Sequence, residues 1–580
     1  MHSQRAFGTV STESAAGVET SARVEPSVPP HLLPSLKRYK ELQRLQAYFD
    51  GDQYKGLPDF FTGRKGNGEV VPLRERAPCI TYGLAATAVG ELLDFMLGGE
   101  RWPQIKVEEA EADDDVSQLA ISEADAELLK DSLDEIVEES QLRCAFYELA
   151  QRAVAARTGV AIGSIRDGMF SLELPHARDC WPKFTKDDPA RPVEGMTWCY
   201  RFERMRVEAG LVKYDVAWFR RDYTATEVIH YEPLADEDTR SDAPKWIEKS
   251  REQHGFSFCP VVWVRNMPRS HADLDGRSLY DGLLDESDAL NLALSQRHRG
   301  IHHFGTPQTW ETGVGDDDGP GAHGRGASAR TEHSAPHGHV ADQARKSGPG
   351  EIWSYEDPAV RLGLLETTGR AFEVATLHVD DIRARALEMM GVTLLSPKEI
   401  LGGGELTVSL LRMIYARMIA LSDRMRLATW EPALKAVLAM FLRMLADRGA
   451  DGMHLRRGPT LAKLAKRFEV ETTEGTSWRL PKVTLAWGPY FTPSASEKQA
   501  ETTTALDAKD GGLIASKTAT EHVAKSFGVE NSDDEHDNAK SEKDEAAALA
   551  VKAMQASGPP VPGTPPNPAK QTPPKPPLKG

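Results

Sequence analysis

Short-range cysteine pairs are missing from this 580-residue sequence. Its five cysteines are widely spread and none belongs to a CxxC motif. They are Cys79, Cys144, Cys180, Cys199 and Cys259. This spacing argues against a disulfide framework and against a structural zinc site. We therefore expect reduced thiols, as in proteins of a reducing compartment.

Long apolar runs are missing as well. The opening residues, MHSQRAFGTV, lack the apolar core of a signal peptide, so we expect none. No uncharged apolar run reaches the ~18 residues that a membrane span requires. The closest run, 406–427, is interrupted by charged side chains, so we expect no membrane partner. These are Arg412, Arg417, Asp423 and Arg424.

Positive charge is in deficit. The formal net charge is −17, whereas proteins that grip nucleic acid along a groove are usually basic, because Lys and Arg neutralise the phosphates. The acidic balance therefore excludes an ordinary DNA-binding protein. It does not exclude a conduit past which DNA slides, since sliding is favoured by weak phosphate binding.

Local catalytic motifs are also missing, including GxSxG, HExxH and the P-loop. The glycine run 402–404 is not a P-loop, because no Gly-Lys-Ser/Thr follows it and no strand precedes it. The histidine-rich segment between His298 and His339 lacks ordered ligand spacing, so we favour a solvated loop over a metal site. We expect no catalytic, cofactor-binding or metal-binding residue.

Helical and extended patterns alternate along the rest of the chain, which is long enough for three or four domains. Apolar residues recur at spacings of three and four in several segments, which predicts helices. These segments are 36–49, 82–97, 124–137, 145–156, 279–303 and 372–390. Between 159 and 265, β-branched and aromatic runs predict strands, with hairpin turns at Asp167-Gly168 and Ala209-Gly210. The combination predicts an α+β fold, mainly α.

The stretch 278–430 organises the sequence. A first helix is predicted with Ser278 as its N-cap, and a low-complexity insert, 313–350, separates it from the second. The predicted apolar face of the first helix is Leu279, Leu283, Leu290, Leu294 and Ile301. The predicted stripe of the second is Phe372, Ala375, Val379, Ile382, Ala386 and Met389. Such a stripe fits either a core helix or a helix that packs between subunits.

A glycine-broken loop, 391–404, follows the second helix. The amphipathic stretch 405–446 then predicts a long helix, kinked where Pro432 removes a backbone hydrogen bond. Its predicted stripe is Leu411, Ile414, Met418, Leu421, Met425 and Ala428. Strand-like pieces are expected within 455–493 and helices at 494–508 and 516–527. The acidic, then proline-rich tail beyond 530 is expected to be disordered, with a solvated tail favoured over a proline-motif ligand.

Several phrases carry a family resemblance. A helix closes with YFDGDQY, at Tyr48–Tyr54. GFSFCPVVWVRN, at 255–266, has longer spacing than the usual phrase and Cys-Pro before the valines. GRSLYDGL follows at 276–283, then DALN at 288–291. Followed by the helix–insert–helix layout and GGLIASKT, in which Ala515 is interposed, they resemble a siphophage-type portal protein of tailed bacteriophages over roughly 34–525.

The resemblance implies a portal fold with wing, stem, clip and crown regions, assembled as a ring around a central channel. The implied regions are a disordered N-terminal arm (1–30), an α+β wing (31–275), a first stem helix (276–303), a clip (304–366) that contains the insert 313–350, a second stem helix (367–390), a tunnel loop (391–404), a long kinked helix with the wing return (405–493), crown helices (494–530) and a disordered tail (531–580).

Two candidate sites follow from the resemblance. The tunnel loop is expected to face DNA in the channel, with Lys398 as a candidate phosphate contact. Its candidate residues are Leu394, Leu395, Lys398, Ile400, Gly402, Gly403 and Gly404. The clip is expected to dock partners. Its candidate residues are Trp310, Ile352, Trp353 and Tyr355.

The implied function is the channel at one capsid vertex through which DNA is packaged and ejected. The implied partners are further copies of the chain, typically in a dodecamer, the terminase large subunit, the head–tail connector, the major capsid and scaffolding proteins, and double-stranded DNA in the channel. The implied location is the virion, and the host cytoplasm during assembly. A DNA-processing enzyme of a phage, such as a nuclease or an ATPase subunit with no local motif, is the alternative.

Overall fold

A computed structural model describes most of the chain in two units. The described residues are 35–65, 68–107, 121–208, 211–236, 246–305, 308–312, 361–365, 370–394, 408–472, 475–478, 480–491, 495–527 and 532–556. Unit 1 comprises Met1–Gly402 and Ile414–Tyr490, and unit 2 comprises Gly403–Met413 and Phe491–Gly580. Helices and sheets are both extensive, which confirms the α+β prediction.

Helices occupy both units. They are α1 Leu36–Asp50, α2 Leu84–Leu97, α3 Glu123–Glu139, α4 Leu142–Ala156, α5 Leu284–Gly305, α6 Arg370–Met390, α7 Val408–Ile414, α8 Ala416–Met425, α9 Glu431–Arg448, α10 Gly458–Lys466, α11 Ala495–Asp510, α12 Ser516–Phe527 and α13 Ser532–Ala556. Short 3-10 turns are found at Leu73–Glu75, Gly99–Arg101, Ala177–Asp179 and Thr185–Asp187. Most of the predicted helices are therefore present.

Within the described ranges, the strands form five antiparallel groups. They are β1 Gln104–Val107, β2 Thr158–Arg166, β3 Met169–Glu173, β4 Cys180–Phe184, β5 Val193–Glu208, β6 Leu211–Tyr223, β7 Glu227–Tyr231, β8 Leu234–Ala235, β9 Glu248–Gln253, β10 Val261–Arg265, β11 Gln308–Thr312, β12 Arg361–Leu365, β13 Glu469–Thr472, β14 Gly475–Trp478 and β15 Val483–Ala486. The largest sheet has the order β4-β5-β6-β7-β9, with β8 on β6, and a second has the order β10-β2-β3. The remaining pairs are β1–β15, β11–β12 and β13–β14.

Both predicted hairpins are present. Asp167 and Gly168 have φ values of 49° and 75°, and Arg166 faces Met169. Two consecutive positive φ angles give the turn a twist that matches its strands. At the second hairpin, Glu208 faces Leu211.

The sequence patterns missed the two edge strands of the largest sheet. β4 contains Pro182, and β9 reads EKSREQ, without apolar alternation. Edge strands tolerate proline and charge, because one row of their backbone groups has no partner strand. The proline of β4 and the charges of β9, which break the usual strand pattern, are therefore compatible with an edge position.

One face of this sheet packs against α1. Tyr39 of α1 lies in a buried cluster with Trp181, Cys199 and Trp218, one from each of the first three strands of the sheet. Burial raises the pKa of the Cys199 thiol to about 12, so this cysteine is a small apolar core residue. The cluster fixes the first helix on the sheet.

A carboxylate is buried beside this cluster. Burial raises the pKa of Asp179 to about 6, although the Arg178 guanidinium, with its Nε 3.5 Å from Asp179 Oδ1, acts in the opposite direction. The folded state therefore favours the protonated carboxyl more than the unfolded chain does. This contribution to stability is complete below about pH 4 and is lost as the pH rises through about 6.

We expect Asp179→Asn to raise the free energy of unfolding at pH 8 by up to about 3 kcal/mol, from a pKa shift of about two units. At pH 4 the variant and the wild type should differ little, because both side chains are then neutral. Urea unfolding at the two pH values measures the difference. The exposed Asp451→Asn is the control, and an equal effect of Asp179→Asn at both pH values would contradict the assignment.

One of two predictions about the C-terminal third was wrong. The strand-like pieces expected within 455–493 are present as β13, β14 and β15, and residues 458–466 before them form helix α10, whose Leu461, Leu464 and Ala465 follow helical spacing and are buried. The tail was expected to be disordered from 531, yet Ser532–Ala556 is helix α13. Its sequence is rich in Ala, Glu and Lys, which are strong helix formers. Acidity was therefore a poor guide to disorder here.

Candidate functional site: the helix pair and its base

Helices α5 and α6 form an antiparallel pair. Gly300 contacts Phe372: a Cβ at Gly300 would lie 3.3 Å from Phe372 Cε1. One turn earlier in α5, Arg297 donates to Thr376 Oγ1 at 3.5 Å. Earlier residues of α5 therefore contact later residues of α6, so the two helices run in opposite directions. The connecting segment begins and ends in β11 and β12, which pair with each other.

The first helix begins later than predicted. Ser278 does not cap it, because α5 starts at Leu284. Ser278 instead belongs to a compact turn, in which its N–H donates to Asp281 Oδ2 and its Oγ accepts from the Tyr280 N–H. Gly282, with φ +84°, then redirects the chain. The serine signal therefore marked a turn that precedes the helix.

The buried face of α5 is more polar than predicted. Ser287, Asn291 and Ser295 recur every four residues and are buried, Asn291 and Ser295 completely. Two of them hold the segment 78–83, which runs beside the helix. Asn291 Oδ1 accepts from the Tyr82 N–H at 2.7 Å, and Ser295 Oγ bonds both the N–H and the carbonyl of Ile80. These side chains satisfy backbone groups that have no strand partner.

Asp288 is the centre of this base. Its Oδ2 accepts a hydrogen bond from the Tyr48 hydroxyl, and its Oδ1 accepts one from the Tyr54 hydroxyl, both at 2.7 Å. Asn291 Nδ2 in turn donates to the Tyr54 oxygen at 3.0 Å. We call Tyr48, Tyr54, Asp288 and Asn291 the base clamp. It joins two of the phrases that carried the family resemblance, YFDGDQY and DALN.

Gly51 explains the spacing of the two tyrosines. Helix α1 ends at Asp50, and Gly51 adopts φ 78°, a left-handed C-cap whose N–H donates to the Ala47 carbonyl. Glycine adopts this conformation without the strain of a side chain. The reversal brings Tyr54 back to the carboxylate that Tyr48 also reaches.

The tyrosines of the base clamp stay protonated. Burial, with the Asp288 carboxylate second, raises the pKa of Tyr48 to about 12. Burial and the same carboxylate also raise the pKa of Tyr54, which Asn291 opposes by donating to its oxygen. Both hydroxyls are therefore donors to one carboxylate, an arrangement of charge-assisted hydrogen bonds.

The chain before α5 passes over itself at Asn266 and Gly276. Asn266 Nδ2 donates to the Arg277 carbonyl, and the Arg277 N–H donates to the Asn266 carbonyl. A Cβ at Gly276 would lie 2.1 Å from the backbone oxygen of Asn266, so there is no room for a side chain at this position. This close approach requires glycine. The motif that ends in Asn266 and the motif that starts at Gly276 thus meet in one backbone contact.

Two arginines tie this crossing to α1. Arg38 binds both carboxylate oxygens of Asp275, at 2.7 and 2.9 Å, and donates to the carbonyls of Ala177 and Cys180. Arg157 binds Asp281 in the same two-pronged manner and also donates to Glu41 of α1 at 3.0 Å. Planar pairs of this type fix orientation as well as distance.

We expect Tyr48→Phe to lower the free energy of unfolding by about 1.5–3 kcal/mol, the range for hydrogen bonds to charged groups. Tyr214→Phe, which removes an exposed hydroxyl, is the matched control and should stay within about 0.5 kcal/mol. Urea unfolding of Tyr48→Phe, Asp288→Ala and the double variant measures the coupling between the pair. Additive effects would show that the hydroxyl and the carboxylate do not stabilise one another.

The stripe of α6 is only partly buried. Val379, Ala386 and Met390 are buried, but Met389 is exposed, contrary to the prediction, as is Ile301 of α5. A second set of apolar side chains points away from α5. Val374 is 60% exposed and Leu377 is 68% exposed. The helix therefore presents an apolar surface that the described residues leave exposed.

Only the first part of the predicted tunnel loop lies among the described residues. Gly391, with φ +73°, ends α6, and Val392 is buried with its N–H bonded to the Leu387 carbonyl. Leu394 is half-buried. The other candidate loop residues, Leu395, Lys398, Ile400, Gly402, Gly403 and Gly404, lie outside the described residues. Of the clip candidates, Trp310 lies on β11, whereas Ile352, Trp353 and Tyr355 lie outside them.

The predicted long helix is divided. It is interrupted at Tyr415, and Arg426–Trp430 forms a π-helical turn in which the Glu431 N–H donates to the Arg426 carbonyl five residues earlier. The wide turn stands directly before Pro432, which cannot donate to the carbonyl of residue 428. The predicted break is therefore close to its predicted place. The extra residue turns Ala428 outward and buries Thr429 and Trp430 instead, which corrects the stripe.

Arg426 is an anchor that the sequence patterns did not reveal. Its buried guanidinium donates to the Met96 carbonyl at 2.7 Å and lies over the rings of Trp487 and Tyr490. Met96 lies at the end of α2, where backbone carbonyls lack helical partners and favour a cation. Burial lowers the pKa of Arg426. The sequence signal that could have indicated this anchor was an arginine inside an apolar helical stripe.

Metal-binding and membrane-spanning features are absent from the described ranges. There, no three His, Cys, Asp or Glu side chains are grouped so that they could hold a metal ion. No helix in that part of the chain combines the length and the apolar character needed to cross a membrane. Neither a protein family nor a curated protein was found to match the chain.

Proposed function

We propose that the chain is a portal subunit: a structural protein that assembles into a ring, through which double-stranded DNA enters and leaves a phage capsid. Under this proposal, α5 and α6 are the stem helices, and the wing, clip, tunnel loop and crown have the bounds given above. The subunit itself carries out no chemistry. The terminase and the head–tail connector would dock at the clip, between β11 and β12.

The observation that carries the proposal is the anchored helix pair. An antiparallel pair, linked through a two-stranded sheet, stands on a base of partly buried hydrogen bonds made by Asp288, Asn291 and Ser295. A channel wall needs this rigidity, because packaged DNA exerts force on it. Gly391 then begins a glycine-containing loop, and α8 returns beside it, with Leu421 3.4 Å from a Cβ at Gly391.

Ring assembly requires a surface that one copy offers to the next. A ring repeats one heterologous contact, in which two different patches of the subunit meet. Val374 and Leu377 supply an exposed apolar patch on α6. Under the proposal they pack against the neighbouring copy.

Purified protein should form rings with a central hole in negative-stain images. Val374→Asp/Leu377→Asp should abolish the rings and leave a folded monomer, since two buried carboxylates would oppose association. Met205→Asp, at a similarly exposed methionine on β5, is the control and should still give rings. A stable compact monomer for the wild type would defeat the proposal, as would divalent-metal-dependent DNA cleavage, which would favour the enzyme alternative.

Deletion of 394–403 should leave ring assembly intact and impair DNA packaging or retention, because this segment is proposed to form the constriction. A Gly/Ser replacement of equal length controls for chain connectivity and should show the same defect. Negative-stain imaging and a packaging assay give the two readouts. Loss of the rings in both variants would mean that the loop belongs to the subunit interface instead.

A further inference from the structure

Charge is distributed unevenly along the α5–α6 pair. The base of α5 is acidic, with Asp285, Glu286 and Asp288. The opposite end is basic. There α5 carries Arg297, His298 and Arg299, and α6 begins at Arg370. His298, Arg299 and Arg370 are exposed, whereas Arg297 is half-buried. We call these four residues the basic end. The chain as a whole has a net charge of −17, so this concentration runs against its composition.

Helix stability does not account for the basic end. Cations favour the last turn of a helix, because its carbonyls carry partial negative charge, and the effect fades beyond that turn. Arg297 and Arg299 lie more than one turn before α5 ends at Gly305, at about 3.6 residues per turn. Arg370 is the first residue of α6, where the dipole favours an anion, and Glu373 in the same turn offsets it only in part.

The partner of Arg297 is neutral, since its guanidinium bonds a hydroxyl, Thr376 Oγ1. Nearer the base of the pair, arginines meet carboxylates: Arg385 pairs with Asp381, and Arg417 lies 3.5 Å from Glu388. The hydroxyl leaves the positive charge of Arg297 in place, whereas the carboxylates offset the charges lower on the pair. Among the described residues of the pair, Arg297, Arg299 and Arg370 therefore place three arginines at the end where α5 and α6 meet their connecting segment.

We propose that the basic end binds the phosphate backbone of double-stranded DNA. Guanidinium groups present a planar fork of N–H donors that fits phosphate oxygens. The packed pair brings α5 and α6 together here, since Gly300 contacts Phe372, so Arg299 and Arg370 belong to one end of the pair. The inference rests on the proposed function in one respect: a ring would repeat the basic end once per subunit and form a narrow belt.

A narrow belt is compatible with passage of DNA. Phosphate contacts carry no sequence information, and proteins that hold DNA through them slide along it. A belt confined to one end of the helix pair would hold the duplex at one level. The carboxylates at the start of α5 would repel the phosphates. The arrangement would centre and retain the duplex rather than bind it along the whole channel.

The test is to measure DNA binding by purified rings. Fluorescence anisotropy of a short labelled duplex gives the affinity between about 50 and 200 mM salt. Arg299→Gln/Arg370→Gln should weaken binding about tenfold or more at the lower salt concentration. The slope of log affinity against log salt should become shallower by about 0.9 for each phosphate that the variant no longer neutralises. Arg299→Lys/Arg370→Lys, which keeps the charge, should retain most of the affinity.

The matched control is Arg64→Gln/Arg74→Gln, which removes the same charge from two exposed arginines outside the helix pair. It should bind as the wild type does. Equal affinity of the two double glutamine variants would overturn the inference. So would unchanged DNA affinity with impaired binding of a docking protein, which would assign the basic end to an acidic protein surface. If the variants still form rings, either of these results would contradict the inference but not the proposed function. If the wild type forms no rings, that result counts against the proposed function alone. The basic end can then still be tested by the same titration on the single chain.

Discussion

The carboxylate of Asp288 is the contact on which the helix pair depends. It sits on the first turns of α5 and accepts hydrogen bonds from Tyr48 and Tyr54, on either side of the turn that ends α1. Removing a carboxylate from water without supplying hydrogen-bond donors is unfavourable, and Asp288 is half-buried. With two donors in place, the same group fixes both the start of α5 and the reversal at Gly51. The direction of the pair is therefore set at its base.

The surroundings of this contact restrict it further. Asn291 and Ser295 use their side chains to bind backbone groups of 80–82, and Arg383 of α6 donates to the Tyr82 hydroxyl at 3.1 Å. Both helices of the pair thus hold one extended segment. Below them, the backbone crossing at Asn266 and Gly276 leaves no room for a side chain. Rigidity here comes from hydrogen-bonded polar groups, which specify one geometry more strictly than apolar packing does.

The helix pair differs from its base in what it exposes. At its base, Asn291 and Ser295 are buried, whereas Val374, Leu377 and three of the four residues of the basic end are exposed. Under the proposed function, these outward surfaces have separate occupants, an adjacent copy for the apolar patch and DNA for the cations. A rigid base suits such a division, because side chains on a mobile helix could not keep two partners in register.

The sequence by itself determined the α+β class, most helix positions, both hairpin turns and the break near Pro432, since these depend on periodicity and on the backbone limits of glycine and proline. It also contained the phrases YFDGDQY and DALN, but not their meeting. Only the tertiary structure joined Tyr48, Tyr54 and Asp288, because hydrogen bonds between residues 240 positions apart leave no local pattern. The same holds for the polar face of α5, the edge strands and the π-helical turn, where partners in space overrode the local signal.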